Sequence, residues 1–287
     1  MMIKCIAIDM DGTLLNEHHV VSDLNKQAIE AAQAKGIEVV IATGRSFPEA
    51  KFPLEAAELN CPIIAVNGAD VRSISGERIH ESPIDQETAF KVMDILNKHN
   101  AYYELYTEDG TYSKDYDQGL MIIMDIFMSP NFQHVNYEET VKAAKERFES
   151  GLIQLVDEFD SIVKNNVSVY KFITFSFDEK VLAELREALS TIEGIAISSS
   201  GKENIEINSV HAQKGLALTE FVAKRNITLE ETMAIGDNYN DLSMFQRVGR
   251  AVAMGNAPEE VKKHGHIITD TNKNDGVGKA ILEVVNQ

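Results

Sequence analysis

Short apolar runs alternate along this chain with stretches in which apolar residues recur every three or four positions. CIAID (Cys5 to Asp9), IEVVIATG (Ile37 to Gly44) and CPIIAVNG (Cys61 to Gly68) are nearly unbroken apolar runs. Such runs are what strands buried on both faces look like. Between the first two lies SDLNKQAIEAAQAKG, Ser22 to Gly36. It predicts a helix capped by Ser22 and stopped at Gly36, with Leu24, Ala28 and Ala31 on one face. Strand–helix–strand repetition of this kind predicts a mainly parallel sheet covered on both sides.

The rhythm changes near Ile84. DQETAFKVMDILNKHN predicts an amphipathic helix, and AYYELYTEDGTYS a hairpin turning at Asp109-Gly110. VYKFITFSF predicts a strand, DEKVLAELREALS a helix, and AISSSGKENIEINS a second hairpin around Gly201. After Val210 the first rhythm returns: helix in KGLALTEFVAKRN, strand in ETMAIGD, helix in DLSMFQRVG, strand in RAVAMG, with EEVKKHG and HIITD continuing it. The expected fold is therefore α/β, a doubly wound, Rossmann-like parallel sheet built from residues 1–83 and 210–287. An α+β domain, residues 84–209, is inserted into it.

Composition narrows the function. With 287 residues, two domains are expected. A formal net charge of -18 disfavours nucleic acid and anionic membranes as partners. The run LMIIMDIFM, Leu120 to Met128, is too short to span a bilayer, carries Asp125, and reads as a core or lid element. No signal peptide is visible, and two cysteines, Cys5 and Cys61, both in apolar runs, read as small buried residues in a reducing cytosol.

The polar residues that carry chemistry cluster where the predicted strands end. Asp9-Met10-Asp11-Gly12-Thr13 follows the first strand, Thr43-Gly44-Arg45 the second, Asn67-Gly68 the third, and Gly236-Asp237-Asn238-Tyr239-Asn240-Asp241 a later one. Open parallel sheets bind ligands at such ends. Asp9, Asp11 and Asp237 suit a hard cation with oxygen ligands, and Mg²⁺ fits because it keeps places for water and phosphate. Thr43 offers a hydroxyl beside the open backbone of Gly44, and Lys214, opening a helix, offers a compact positive charge. Together these groups form the inventory for phosphoryl transfer through an aspartyl phosphate. Singly, several read otherwise. Asn67-Gly68 is as much a plain turn as a pocket wall, and Arg45 as much a surface ion pair as a substrate contact. His18, His19 and His211 show no metal spacing and read as surface residues, and Tyr102, Tyr103 and Tyr106 as hairpin packing.

DMDGT, TGR, the lysine of QKG and GDNYND resemble the four signature motifs of the haloacid dehalogenase superfamily, and the whole arrangement is similar to the Cof-type phosphatases with a large α/β cap after the third strand. The resemblance implies roles. Asp9 is the nucleophile. Asp11 is the general acid and base, with its backbone carbonyl on Mg²⁺, and Asp237 joins Asp9 as a metal ligand. Thr43, Gly44, Lys214 and the backbone of Met10 hold the phosphoryl oxygens, and Asn240 reaches them. Asp241 orients Lys214 or supports the metal from behind. The implied activity is Mg²⁺-dependent hydrolysis of small phosphorylated metabolites, sugar phosphates or phosphorylated cofactors, in a cytoplasmic monomer or homodimer. The inserted domain is expected to select the substrate. A phosphomutase on the same scaffold, or a non-catalytic regulator that binds a phosphorylated metabolite, are the rival readings.

Overall fold

The computed structural model describes residues 2–121, 137–165, 167–199 and 203–286. It divides into two compact units, Met1–Glu81 with Ala212–Gln287, and Ser82–His211.

The first unit holds an eight-stranded sheet. Its strands are β1 (Cys5–Ile8), β2 (Glu38–Ala42), β3 (Ile63–Ala65), β4 (Asp70–Arg72), β5 (Arg78–Glu81), β12 (Thr232–Gly236), β13 (Arg250–Ala253) and β14 (Ile267–Ile268). They lie in the order β14-β13-β12-β1-β2-β3-β4-β5. The six from β14 to β3 run parallel, and β4 and β5 add an antiparallel edge. Every residue of β1 is fully buried, as its apolar run predicts for a strand covered on both faces. β1 is central, paired with β2 on one side and β12 on the other. The chain reverses its direction of winding between β1 and β12, which is where open sheets leave a crevice. This is the doubly wound α/β fold that the apolar pattern predicts.

The first helix, Asp23–Ala34, starts at Ser22, whose hydroxyl accepts the Asn25 amide, and ends ahead of Gly36. Its buried stripe is Asn25, Ala28, Ile29 and Ala32. The expected face of Leu24, Ala28 and Ala31 is thus rotated by about one position, because the i, i+3, i+4, i+7 spacing through Ala28 also selects Asn25 and Ile29. The helix Lys214–Ala223 forms as predicted. DLSMFQRVG gives only a single turn of α-helix, Leu242–Phe245, since the turn Tyr239–Asp241 takes up the first part of its connection, and EEVKKHG gives the single turn Glu259–Lys262.

The second unit is α+β. Its six strands are β6 (Tyr102–Thr107), β7 (Gly110–Ser113), β8 (Ile153–Leu155), β9 (Val169–Phe175), β10 (Ile195–Ser198) and β11 (Asn204–Ser209), in the order β10-β11-β9-β6-β7-β8. Antiparallel pairing runs from β10 to β7, and β8 joins β7 in parallel. The hairpin at Asp109-Gly110 forms. The second hairpin's strands pair, but its turn around Gly201 lies outside the described residues, as does LMIIMDIFM beyond Met121. Tyr103 packs in the hydrophobic core against Phe159, with ring centres 4.9 Å apart. Glu104, on the same strand, is completely buried, and burial pushes its carboxyl up to about 7. Tyr102 donates to its Oε1 at 3.2 Å, and hydrogen bonds from Tyr102 and Tyr106 and the charge of Lys171 oppose the rise without cancelling it. Among the described residues, no helix is long and apolar enough to cross a membrane.

Candidate active site

Four chain segments leave the sheet at the same edge. β1 delivers Asp9, β2 delivers Thr43, β3 delivers Val66 and Asn67, and β12 delivers Asp237. After Asp9 the backbone makes a tight coil through Met10–Leu14, in which Gly12 adopts φ +75°. A side chain there would also strike Asp237, since an added Cβ would lie 2.5 Å from its Oδ2. Glycine is the residue that allows this turn and this approach.

Lys214 ties the carboxylates together. It is fully buried at the first position of its helix, where a positive charge is disfavoured by the helix dipole. Its ammonium donates to Asp9 Oδ1 at 2.6 Å and to Asp241 Oδ1 at 2.7 Å. Burial alone would depress the lysine, but the charges of Asp241 and Asp9 raise it, so it stays protonated. Asp241 is also used up on its other oxygen. Oδ2 accepts the backbone N–H groups of Asp237 (2.9 Å) and Asn238 (3.0 Å). Asp241 therefore orients Lys214 and shapes the acidic loop. Thr13 donates to Asp237 Oδ1 at 2.9 Å.

Carboxylate oxygens of Asp9, Asp237 and Asp241 lie within 4.8 Å of one another, all buried. The electrostatics are those of a cluster short of positive charge. Burial, then the charge of Asp241, pushes Asp9 up to about 6. Burial, then the charge of Asp9, carries Asp237 well above the usual carboxylate range. A divalent cation held by oxygen donors reverses both shifts, so the donor set fits Mg²⁺. Asp11 is not in this cluster as a side chain. Arg45 takes both its oxygens, Nε to Oδ2 at 2.7 Å and Nη2 to Oδ1 at 2.5 Å. Burial would raise Asp11, but the guanidinium's charge and hydrogen bonds hold it below the ordinary value. Arg45 is thus a partly buried ion pair rather than a surface one. His19 is half-buried, and the charge of Asp11 acts on it, so it is nearer the site than its surface reading allowed.

Thr43 Oγ1 accepts the Arg45 amide at 3.1 Å, and Asn240 donates through Nδ2 to Asn67 Oδ1 at 3.1 Å. Met10 is fully buried, and Gly44 lies beside Asn67. Asn67 thus sits between the loops that carry Gly44 and Asn240. Val66 and Asn67 adopt φ +47° and +56°. For a β-branched residue that conformation is an outlier, and each such residue costs on the order of 1–3 kcal/mol.

Three asparagines brace the Asp9 loop, none of them singled out from the sequence. Asn256 donates to the Gly12 carbonyl (2.8 Å), Asn25 to that of Leu14 (3.1 Å), and Asn272 to that of Leu15 (2.9 Å). Asn256 follows the buried strand β13 by three residues, a little farther out than the other motifs, which begin one or two residues past theirs.

The comparisons with known proteins agree with this geometry. Residues 6–281 match the haloacid dehalogenase-like hydrolase family. The chain is 36% identical over 284 residues to a 5-amino-6-(5-phospho-D-ribitylamino)uracil phosphatase of Bacillus subtilis, YwtE, covering 99% of this chain and 98% of that one. It is 25% identical to the pyridoxal phosphate phosphatase YbhA of Escherichia coli, covering 98% of each. A solved haloacid dehalogenase-like hydrolase from B. subtilis superimposes with a TM-score of 0.89 at 33% identity, covering 98% of this chain and 99% of that one. The chain belongs to the haloacid dehalogenase-like hydrolases, and within them it is a phosphatase of small phosphorylated metabolites.

Proposed function

We propose that this phosphatase works through a phosphoaspartyl intermediate on Asp9, with Mg²⁺ as its cofactor. The observation that carries the reading is the position of Asp9, buried, bonded to Lys214 at 2.6 Å and clustered with Asp237. A carboxylate beside one fixed cation, in a cluster fitted for a second, is set to meet a phosphate dianion.

In this reading an oxygen of Asp9 attacks phosphorus as the bond to the leaving oxygen breaks. Asp11 gives that oxygen a proton. Water then attacks the phosphorus of the acyl phosphate while Asp11 takes its proton, releasing inorganic phosphate and restoring Asp9. Lys214, the Thr43 hydroxyl, the Gly44 and Met10 backbone and Asn240 hold the phosphoryl oxygens. Asp9, Asp237 and the backbone carbonyl of Asp11 would hold Mg²⁺, which supplies charge neutralisation and orientation when bound.

The favoured substrates are phosphomonoesters of sugars or sugar alcohols, or phosphorylated cofactors. The named activities of the two relatives support that range, one acting on a phosphoribityl compound and the other on pyridoxal phosphate. Residues 84–209 would select among them, since the groups gathered at the sheet edge are all suited to phosphate or metal.

The test is Asp9→Asn against Asp11→Asn with Mg²⁺. Asp9→Asn is expected to abolish turnover of every phosphomonoester. Asp11→Asn keeps the nucleophile, so with p-nitrophenyl phosphate, whose leaving group needs little protonation, a phosphorylated protein is expected on rapid quench and mass measurement. An active Asp9→Asn would overturn the reading.

A further inference from the structure

We infer that Asn67 is a positioning residue that holds the phosphate-binding loops in register, and that its strained backbone is retained for that purpose. The inference rests on the phosphoryl site proposed above. Val66, Asn67 and Gly68 take positive φ in succession, +47°, +56° and +104°. Three such residues in a row are not an ordinary turn, and strain of this kind persists only where surrounding contacts impose it. Here they do. The Val66 amide donates to the Arg45 carbonyl at 2.8 Å, and the Asn67 amide to the Thr43 carbonyl at 2.9 Å. Gly68 presses on the carbonyl of Gln213, where an added Cβ would stand 2.7 Å away. Gln213 precedes Lys214.

The side chain completes the junction. Asn67 Oδ1 accepts from Asn240 at 3.1 Å, and a methyl group added at Gly44 would lie 3.2 Å from that same oxygen. Asn67 is 8% exposed. One turn therefore touches each of the three loops that supply anion donors: by backbone to Thr43 and Arg45, by close approach to Lys214's neighbour, and by carboxamide to Asn240. Asparagine suits the position because it tolerates the left-handed region better than most residues while keeping an acceptor. Its oxygen turns the Asn240 amide, and so the register of that loop against Gly44.

The discriminating variant is Asn67→Gly. Glycine adopts the same backbone without strain, so this variant is expected to melt at or above the wild-type temperature. It lacks the carboxamide, so inorganic phosphate, measured by calorimetry with Mg²⁺ and as a competitive inhibitor, is expected to bind about tenfold more weakly, the size of effect that one lost hydrogen bond gives. KM for p-nitrophenyl phosphate should rise by a similar factor with kcat within about twofold, the pattern of interactions common to ground and transition states. Asn240→Ala should weaken phosphate equally, and the double variant no further than either single one, because the two side chains act as one unit. Asn67→Gly with wild-type phosphate affinity, or fully additive losses in the double variant, would overturn the inference. A variant that melts well below wild type would also overturn it, since the turn would then serve stability. Inactive wild-type protein that still binds phosphate in an Asn67-dependent way would instead count against the proposed hydrolysis.

Discussion

Both oxygens of the Asp11 carboxylate are held by the fork of Arg45. The ion pair keeps Asp11 ionised and fixes its orientation. In the mechanism proposed above, Asp11 needs a proton as acid toward a leaving oxygen and the ionised form as base toward water. The pair favours the second state until a substrate competes for one of its members.

Arg45→Ala is expected to slow turnover of a sugar phosphate by roughly 10- to 100-fold, a large part of what a positioned acid–base group contributes. The loss with p-nitrophenyl phosphate should be smaller. Without the guanidinium, burial is opposed only by the weaker charges of His19 and Lys214, so the Asp11 carboxyl rises. Activity that needs the ionised base would then fail at a higher pH, and the acidic limb of kcat should shift upward. Parallel pH–rate profiles of variant and wild type check this, and superimposable limbs would count against it.

Asp9 and Asp237 are both pushed up because they are buried together. A cation that binds them must displace protons, so Mg²⁺ affinity should weaken as pH falls through about 6. Chelation should stop turnover and Mg²⁺ restore it, and Mg²⁺ should raise the melting temperature of the wild type. In Asp237→Ala the thermal response to Mg²⁺ should largely vanish. Full activity in excess chelator would contradict the metal assignment.

Glu104, in the second unit, offers a further test. Its ordinary value is 4.5 and its buried value about 7, so between these the folded state binds more protons than the unfolded one. The sign follows: stability falls as pH rises through this window, by up to roughly 3 kcal/mol if the whole shift is expressed. Glu104→Gln removes the ionisation. The variant should match the wild type near pH 5 and exceed it near pH 8 in denaturant melts. Equal pH slopes for the two proteins would contradict the burial argument.

The sheet and the motifs were legible because each depends on local signals. β1, β2, β3 and β12 are apolar runs, and the groups at their ends announce themselves by type and order. What stayed hidden depends on side-chain geometry between distant segments. Nothing near Arg45 in the sequence says that it grips Asp11 rather than solvent. The three loop-bracing asparagines donate to backbone carbonyls, and carbonyls leave no trace in composition. His19 is drawn toward the site by the fold of its loop, which spacing does not encode. The helices after β12 and β13 form but are shorter than their apolar spacing suggests, since capping and packing decide helix length more than spacing does.

The order of the strands also bears on how the molecule is made. β1, which leads into Asp9, leaves the ribosome well before β12, one of its two partners. On a nascent chain, β1 and β2 have to wait, with one edge of β1 unpaired, while the whole of Ser82–His211 is synthesised. That intervening unit has its own sheet and hydrophobic core and is complete before β12 emerges. The strand that leads into Asp9 is therefore enclosed only after the intervening unit has been made. Until then it is a fully apolar edge, the kind of surface that chaperones cover and that aggregates form on.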